Sequence, residues 1–508
     1  MRFERSCCSI ALGLLLMTSA QAQSSATVAV ESGALAGIEA NGVRSFRGVP
    51  YAAAPVGDLR WKAPQPVTPW KDARDAREYG PACPQPDDKM YGLTPKLQSE
   101  DCLNLNIWAP VKTDKPLPVM VWLHGGANRM GASSIPFYDG SRLAQREVIV
   151  VTINYRLGYL GFFAHDALDA DDKGNGAGGN FALMDQIAAL KWVQKNIAAF
   201  GGDPQKVTAF GESAGGADIL YLMASPAADK LFQQAIVQSG GGWNKPPKAE
   251  KFKKKIAKNL EAAGIEGTLD AAALRALKPT QLIEALAKSA DIGFGPFQDG
   301  VTTTEAPSKA FAEGRAAKIP MIIGSNDWEA SLLKIRRPGA MGKIMARVPP
   351  FTSWYPNRET TGEARESLMF TDIVFGAPAR WLAAAHAKQS SAWLYKFEYV
   401  TSGHRGKVPG AGHAAEIAYV FDTVGITPKS AKAVSAQDQA MADALTDCWA
   451  AFAKTGKPTC ALSAWDAYDP AKDNIFLIDE KPHQTEHPDK KSLDGAVDWF
   501  GPGTMLGG

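Results

Sequence analysis

Val207-Thr208-Ala209-Phe210-Gly211-Glu212-Ser213-Ala214-Gly215-Gly216-Ala217 is the stretch whose reading decides the fold. The first four residues are apolar or β-branched, as in a buried strand. The small residues after Ser213 can pack tightly at the start of a helix. A strand that turns sharply into a helix through G-x-S-x-G is a nucleophile elbow. Its central residue is forced into a strained backbone conformation, and the residues two before and two after it crowd together, so both are glycine. The strain lifts Ser213 Oγ clear of the sheet edge.

Outward from the elbow, residues 118–123 and 148–153 are continuous apolar runs, as expected of strands covered on both faces. Between 180 and 200 the apolar positions Leu183, Ile187, Leu190, Val193 and Ile197 fall three and four apart, which predicts a helix. Residues 231–238 read as another short buried piece, and strand signals return at 319–323 and 392–397. Strand, helix, strand, helix implies a mostly parallel sheet with crossover helices on both faces, an α/β fold. From about 244 to 290 the pattern changes to helices rich in Ala and Lys. Phe252, Ile256 and Leu260 share one face there, and the lysines between them read as its solvated side. No repeat or linker interrupts the chain, which predicts a single domain over 23–508 with a helical insertion near 244–290.

Composition narrows the function. With 55 basic and 53 acidic side chains the formal charge is +2, so no long-range field draws nucleic acid or an anionic membrane. The expected partner is a small molecule. Arg2 and Arg5 precede an apolar stretch from Cys7 to Met17 and then Ala20-Gln21-Ala22, which reads as a signal peptide, residues 1–22, cleaved after Ala22. The apolar stretch is too short to span a bilayer, no later segment supplies a membrane anchor, and export would be to the periplasm or the extracellular space. Of the six cysteines, Cys83, Cys102, Cys448 and Cys460 remain after cleavage. Sequence proximity favours pairing Cys83 with Cys102 and Cys448 with Cys460.

A serine hydroxyl is a poor nucleophile at neutral pH, so Ser213 needs a base in hydrogen-bond reach and the base needs an orienting acid. Among only seven histidines, His413 lies in the small-residue loop Gly410-Ala411-Gly412-His413-Ala414-Ala415-Glu416, where an imidazole can stand free of packing. His404 is the second choice. The acid should follow a strand end, and Gly324-Ser325-Asn326-Asp327-Trp328-Glu329 offers both Asp327 and Glu329, which spacing alone does not separate. His124-Gly125-Gly126-Ala127, directly after the strand ending at Leu123, exposes consecutive backbone N–H groups. With the N–H of Ala214 these would form an oxyanion hole.

On these residues the chain resembles the type B carboxylesterase and cholinesterase family of α/β hydrolases, and the likeness runs over nearly the whole mature chain. It is carried by Phe46-Arg47-Gly48-Val49-Pro50-Tyr51-Ala52, Ser99-Glu100-Asp101-Cys102-Leu103-Asn104-Leu105-Asn106-Ile107-Trp108, Asn154-Tyr155-Arg156-Leu157-Gly158 and Phe200-Gly201-Gly202-Asp203-Pro204. The resemblance implies an α/β-hydrolase fold, Ser213 as nucleophile, His413 as base, and Glu329 as acid, because the family's acid lies in an Asn-x-x-Glu segment that 326–329 fits. It also implies Gly126, Ala127 and Ala214 as oxyanion donors, a Cys83–Cys102 disulfide, and a supporting role for Ser239 behind the acid. One departure stands out. Where the family usually carries an aromatic residue after the glycine loop, this chain has Asn128-Arg129-Met130, which predicts an amide and a guanidinium as substrate-binding groups near the acyl site. A second is Ala330 in place of a usual glycine.

The expected activity is ester hydrolysis through an acyl-enzyme, with no metal and no organic cofactor. An unperturbed imidazole titrates near 6.5, so the rate is expected to fall below about pH 6.5. Acyl transfer to an alcohol and amide cleavage would use the same triad. Some relatives in the family are non-catalytic binding proteins, but those lack triad members.

Overall fold

The computed structural model describes residues 24–87, 93–171, 178–243, 245–267, 269–288, 294–334, 340–355 and 362–504. The signal peptide expected at 1–22 lies outside the described residues. The strands in chain order are β1 (Ser24–Val30), β2 (Gly33–Ala40), β3 (Val43–Pro50), β4 (Arg74–Asp75), β5 (Asn104–Pro110), β6 (Leu117–Leu123) and β7 (Ile149–Ile153). They continue with β8 (Gly202–Glu212), β9 (Gln234–Gln238), β10 (Met321–Asn326), β11 (Ala392–Phe397), β12 (Asn474–Ile478) and β13 (His483–Glu486).

Among the described residues all of these join in one sheet, in the order β1-β2-β3-β5-β7-β6-β8-β9-β10-β11-β12-β13 with β4 beside β2. From β7 to β12 the strands are parallel. An antiparallel run from β1 to β7 closes one edge, and a β12–β13 hairpin closes the other. The order reverses around β6: the chain passes from β6 to β7 on one side and then from β7 back across to β8 on the other. Active-site loops gather at the carboxyl ends of strands beside such a switch point.

The continuous apolar runs are explained by two cores. Along β6, Val119, Val121 and Leu123 pack into one apolar cluster, while Met120 and Trp122 pack into a second on the opposite face. A strand buried on both faces has no polar side to alternate with. Each fully buried aliphatic side chain contributes roughly 1.5–3 kcal/mol relative to exposure.

Asn104, Asn106, Asn154 and Arg156 of the family-like segments are buried scaffold. Asn106 accepts from the backbone N–H of Gly48 at 3.0 Å and donates to Thr152 Oγ1 and Ser133 Oγ, each at 3.0 Å. Arg156 holds Asp185 with its Nε at 2.8 Å and a second guanidinium nitrogen at 2.7 Å. Arg60 pairs with Glu100 and also donates to the carbonyls of Arg275 and Leu277. That contact ties the loop closed by the Cys83–Cys102 bond to the helices between β9 and β10.

Those helices, Ala249–Ala262, Ala271–Ala276 and Pro279–Lys288, occupy the stretch where the Ala- and Lys-rich pattern predicted them. Phe252, Ile256 and Leu260 are buried, and Phe252 stacks on Phe297 with ring centroids 4.2 Å apart. The lysine face needs one correction. Lys253 is largely covered and reaches Asp166 at 2.8 Å and Asp169 at 2.6 Å, pinning the insertion to the helix Asp166–Asp171.

Both expected disulfides are present: Cys83–Cys102, and Cys448–Cys460, which joins the helix Ala436–Thr455 to the loop after it. Closing loops of this length stabilises by about 2–4 kcal/mol each. Alkylation of the denatured, unreduced protein should leave all four of these cysteines unlabelled, and prior reduction should expose all four, read as the mass difference of the intact chain. Equal masses would contradict the pairing.

Candidate active site

Ser213 sits between β8 and the helix Ala214–Ala224 with φ 55° and ψ −121°. This left-handed conformation costs on the order of 1–3 kcal/mol and persists only where its surroundings enforce it. Two glycines show how. A Cβ on Gly215 would run into the Leu123 carbonyl, and one on Gly211 would lie 2.7 Å from that same carbonyl and 2.8 Å from the Gly215 carbonyl carbon. The end of β6 is thus wedged into the elbow. The Ser213 N–H donates to the Gln238 carbonyl at 2.9 Å, fastening the turn to β9.

The glycine loop after β6 lies against the same turn. A Cβ on Gly125 would sit 2.6 Å from Glu212 Oε2 and 3.1 Å from Ser213 Cβ. The loop is bent by two hydrogen bonds onto the Gly126 carbonyl, from Arg129 N–H at 3.0 Å and Met130 N–H at 3.1 Å. Ala127 and Asn128 both have positive φ, 55° and 56°. For Ala127 that is unfavourable by roughly 1–2 kcal/mol, whereas asparagine tolerates it better. Beneath the loop, His124 is buried and stacks on Tyr155 with centroids 4.4 Å apart. Burial pulls its pKa down to about 4, so it is a neutral packing group whose Nδ1 donates to the Gly125 carbonyl at 2.9 Å.

His413 lies in the loop that runs beside the end of β10. Its backbone N–H donates to Ser331 Oγ at 2.8 Å, and its ring packs beside Phe375. Nδ1 donates to Glu329 Oε2 at 2.5 Å, and Nε2 lies 3.0 Å from Glu212 Oε1. The two acids that spacing left open differ in position. Glu329 touches the imidazole, while Asp327 accepts from the Ala411 N–H at 2.7 Å and so shapes the loop. Burial raises Asp327 to about 6. His404 is exposed, in the short helix Ser402–His404.

Glu329 is fully buried and accepts two further hydrogen bonds, from Ser239 Oγ at 2.6 Å and from the Asn326 N–H at 2.8 Å. Ser239 itself has φ 49°.

Two buried carboxyl groups of this cluster, one beside His413 and one bonded to Asn326, were missed by sequence reasoning. Glu212 is the variable residue of the G-x-S-x-G motif, and Glu416 lies three places beyond His413; both were in plain view without a signal that separated them from filler. Glu416 is buried and accepts from Gln238 Nε2 at 2.9 Å and Asn326 Nδ2 at 2.7 Å. Burial, with the charge of Glu212 next in importance, pushes it up to about 7. His413 moves upward too. Burial opposes its charged form, yet the carboxylates of Glu212 and Glu329 outweigh burial and hold its pKa well above 6.5, contrary to the unperturbed value expected from sequence.

The two residues expected beside the acyl site differ in placement. Asn128 turns its amide inward and donates to Asp218 Oδ1 at 3.1 Å, with only 3% of its surface exposed. Arg129 is half-buried and donates to the Leu286 carbonyl near the end of the helix Pro279–Lys288. Among the described residues no group of three or more His, Cys, Asp or Glu side chains is arranged to hold a metal ion.

The carboxylesterase family model matches residues 24–346 and 343–495. Para-nitrobenzyl esterase of Bacillus subtilis (strain 168) is 39% identical over 483 residues, covering 89% of this chain and 95% of its own. Fumonisin B1 esterase of Sphingopyxis macrogoltabida is 37% identical over 468 residues, covering 84% and 82%. A solved PNB esterase structure superposes with TM-score 0.81 at 36% identity over 92% of this chain and 98% of that one. A Geobacillus stearothermophilus carboxylesterase gives 0.81 at 33% over 92% and 99%. With matches of this extent on an α/β-hydrolase sheet, the chain belongs to the carboxylesterase family and is a carboxylic ester hydrolase.

Proposed function

We propose that this hydrolase works through an acyl-enzyme on Ser213. The observation that carries the reading is the bridging of His413, with Nδ1 on Glu329 and Nε2 beside Glu212, the residue that immediately precedes Ser213. Ser213 Oγ attacks the ester carbonyl carbon and its proton passes to His413 Nε2. Collapse of the tetrahedral intermediate expels the alcohol, which takes that proton back, and water then repeats the sequence on the acyl-enzyme. Glu329 fixes the ring and stabilises the transient imidazolium, while the Ser239 hydroxyl and Asn326 N–H keep Glu329 in place. The N–H groups of Gly126, Ala127 and Ala214 receive the oxyanion; losing one such donor typically costs about 2.7–4 kcal/mol of barrier. The Ser213→Ala variant should retain the wild-type melting temperature and lose p-nitrophenyl acetate turnover by about 10⁴-fold or more. Wild-type-like turnover would refute the assignment.

The pH dependence follows from the histidine. The base acts when neutral, and its raised pKa keeps it protonated to higher pH, so kcat/KM should fall with decreasing pH through a limb centred above 6.5. Glu212 is the largest of the charges that raise it, so Glu212→Gln should move the limb to lower pH. A limb at the same pH in both proteins would contradict this.

Relatives named for para-nitrobenzyl, fumonisin B1 and fatty acyl-CoA hydrolysis leave the acyl group open within the family frame. Arg129, next to the oxyanion loop and half-buried, favours a polar or anionic acyl group through a charge-assisted hydrogen bond. Its hydrogen bond to Leu286 supports a preset guanidinium. Arg129→Ala should lower the kcat/KM ratio of a dicarboxylate half-ester to a neutral ester of equal length by about tenfold, and an unchanged ratio would discard the idea. The two disulfides support the reading of an exported enzyme.

A further inference from the structure

One buried carboxyl group near the elbow has no part in the proton relay. Asp218 lies on the elbow helix Ala214–Ala224, five residues after Ser213, and is fully buried. Its Oδ1 accepts from Asn128 Nδ2 at 3.1 Å and its Oδ2 accepts from Gln186 Nε2 at 2.6 Å. Gln186 stands on the neighbouring helix Phe181–Asn196 and is also fully buried. A carboxyl group taken out of water is costly unless such donors meet it. Burial accordingly raises it to about 7, with the two amides acting in the opposite direction.

The partners of these amides give the cluster its meaning. Asn128 is the second of two consecutive left-handed residues in the oxyanion loop, and its backbone carbonyl accepts from the Gly158 N–H at 2.8 Å. Its side chain hydrogen-bonds that strained loop to the elbow helix, whose first N–H belongs to Ala214. A loop in an unfavourable conformation drifts unless it is held, and an oxyanion hole made of two segments works only when their N–H groups keep a fixed separation. We propose that Asp218 is a positioning residue for ester hydrolysis: by gripping Asn128 and Gln186 it fixes the oxyanion loop against the helix that starts at Ser213. The inference rests on the serine reading above, and it gives Asn128 a role in place of substrate contact.

The cluster also says which replacement should work. Among the described residues, Asn128 Oδ1 and Gln186 Oε1 are buried oxygens with no hydrogen-bond partner. With the Gln186 side-chain amide turned over so that Oε1 replaces Nε2, an asparagine at 218 accepts from Asn128 with its carbonyl oxygen and donates to Gln186 Oε1, so Asp218→Asn keeps the grip while removing the charge. Asp218→Ala removes it, and Asn128→Gly removes it from the loop side while suiting the left-handed backbone there.

The test measures kcat, KM and the inhibition constant of a trifluoromethyl ketone, which forms a hemiketal with its oxyanion in the hole. In Asp218→Ala and Asn128→Gly, kcat should fall by about 10- to 100-fold with KM within about threefold, and ketone affinity should weaken in parallel with kcat/KM. Asp218→Asn should stay within about threefold of wild type, and the Asn128→Gly/Asp218→Ala double variant should lose no more than the worse single one. Asn128→Gly keeps the question answerable if Asp218→Ala does not fold. The inference is overturned by wild-type kcat in Asn128→Gly, by kcat loss with undiminished ketone affinity, or by additive losses in the double variant. Ser213→Ala is the control: ketone binding as tight as in wild type would bring down the serine reading itself, whereas loss of binding there upholds that reading whatever Asp218 does.

Discussion

The close approach of the end of β6 to the turn at Ser213 is the constraint on which the rest of the site depends. Gly211 and Gly215 leave room for the Leu123 carbonyl inside the elbow, so the strand that ends in the glycine loop and the helix that begins after Ser213 share one contact. Everything with a chemical role is placed relative to it. The glycine loop is pressed against Glu212 and Ser213, β9 is fastened to the Ser213 N–H, and Gln238 at the end of β9 leads directly to Ser239 and thence to Glu329. Strain at one residue is thereby held by a sheet buried on both faces.

Around that turn the electrostatics are crowded. Glu212 and Glu329 flank the His413 imidazole, and a third buried glutamate, Glu416, feels the charge of both. Like charges out of water repel, and the conflict is eased in two ways: Glu416 moves towards the neutral form, and His413 moves towards the cationic form. The second shift suits a mechanism that creates an imidazolium in its transition state, because the field is already arranged for it. Its cost is a base that is protonated more of the time near neutral pH. In the proposed mechanism Glu212, which chain geometry fixes beside Ser213, sets the balance between stabilising the charged intermediate and keeping a free base.

Much of this was legible in the sequence. The doubly buried strands showed as unbroken apolar runs, the helix Phe181–Asn196 as a three-and-four spacing, and the elbow as glycines flanking a serine. The edges were not legible: β1 to β3 and the β12–β13 hairpin are short or half-exposed, and their pairing depends on contacts distant in sequence. Spacing left Asp327 and Glu329 equal, because both follow the end of β10; which one meets His413 depends on how the loop from 410 to 412 crosses that strand end. Glu212, Glu416 and Asp218 gave no signal. Their importance comes from burial, which no local pattern reports, and Asn128 drew notice only as an exception to a family habit.

The most direct measurement is to label the enzyme with a fluorophosphonate, digest it and locate the phosphonylated residue by mass spectrometry. The expected result is a single adduct on Ser213, formed at a rate that rises with pH as His413 loses its proton. An adduct elsewhere, or labelling that persists at the same rate in His413→Ala, would contradict a serine activated by that histidine.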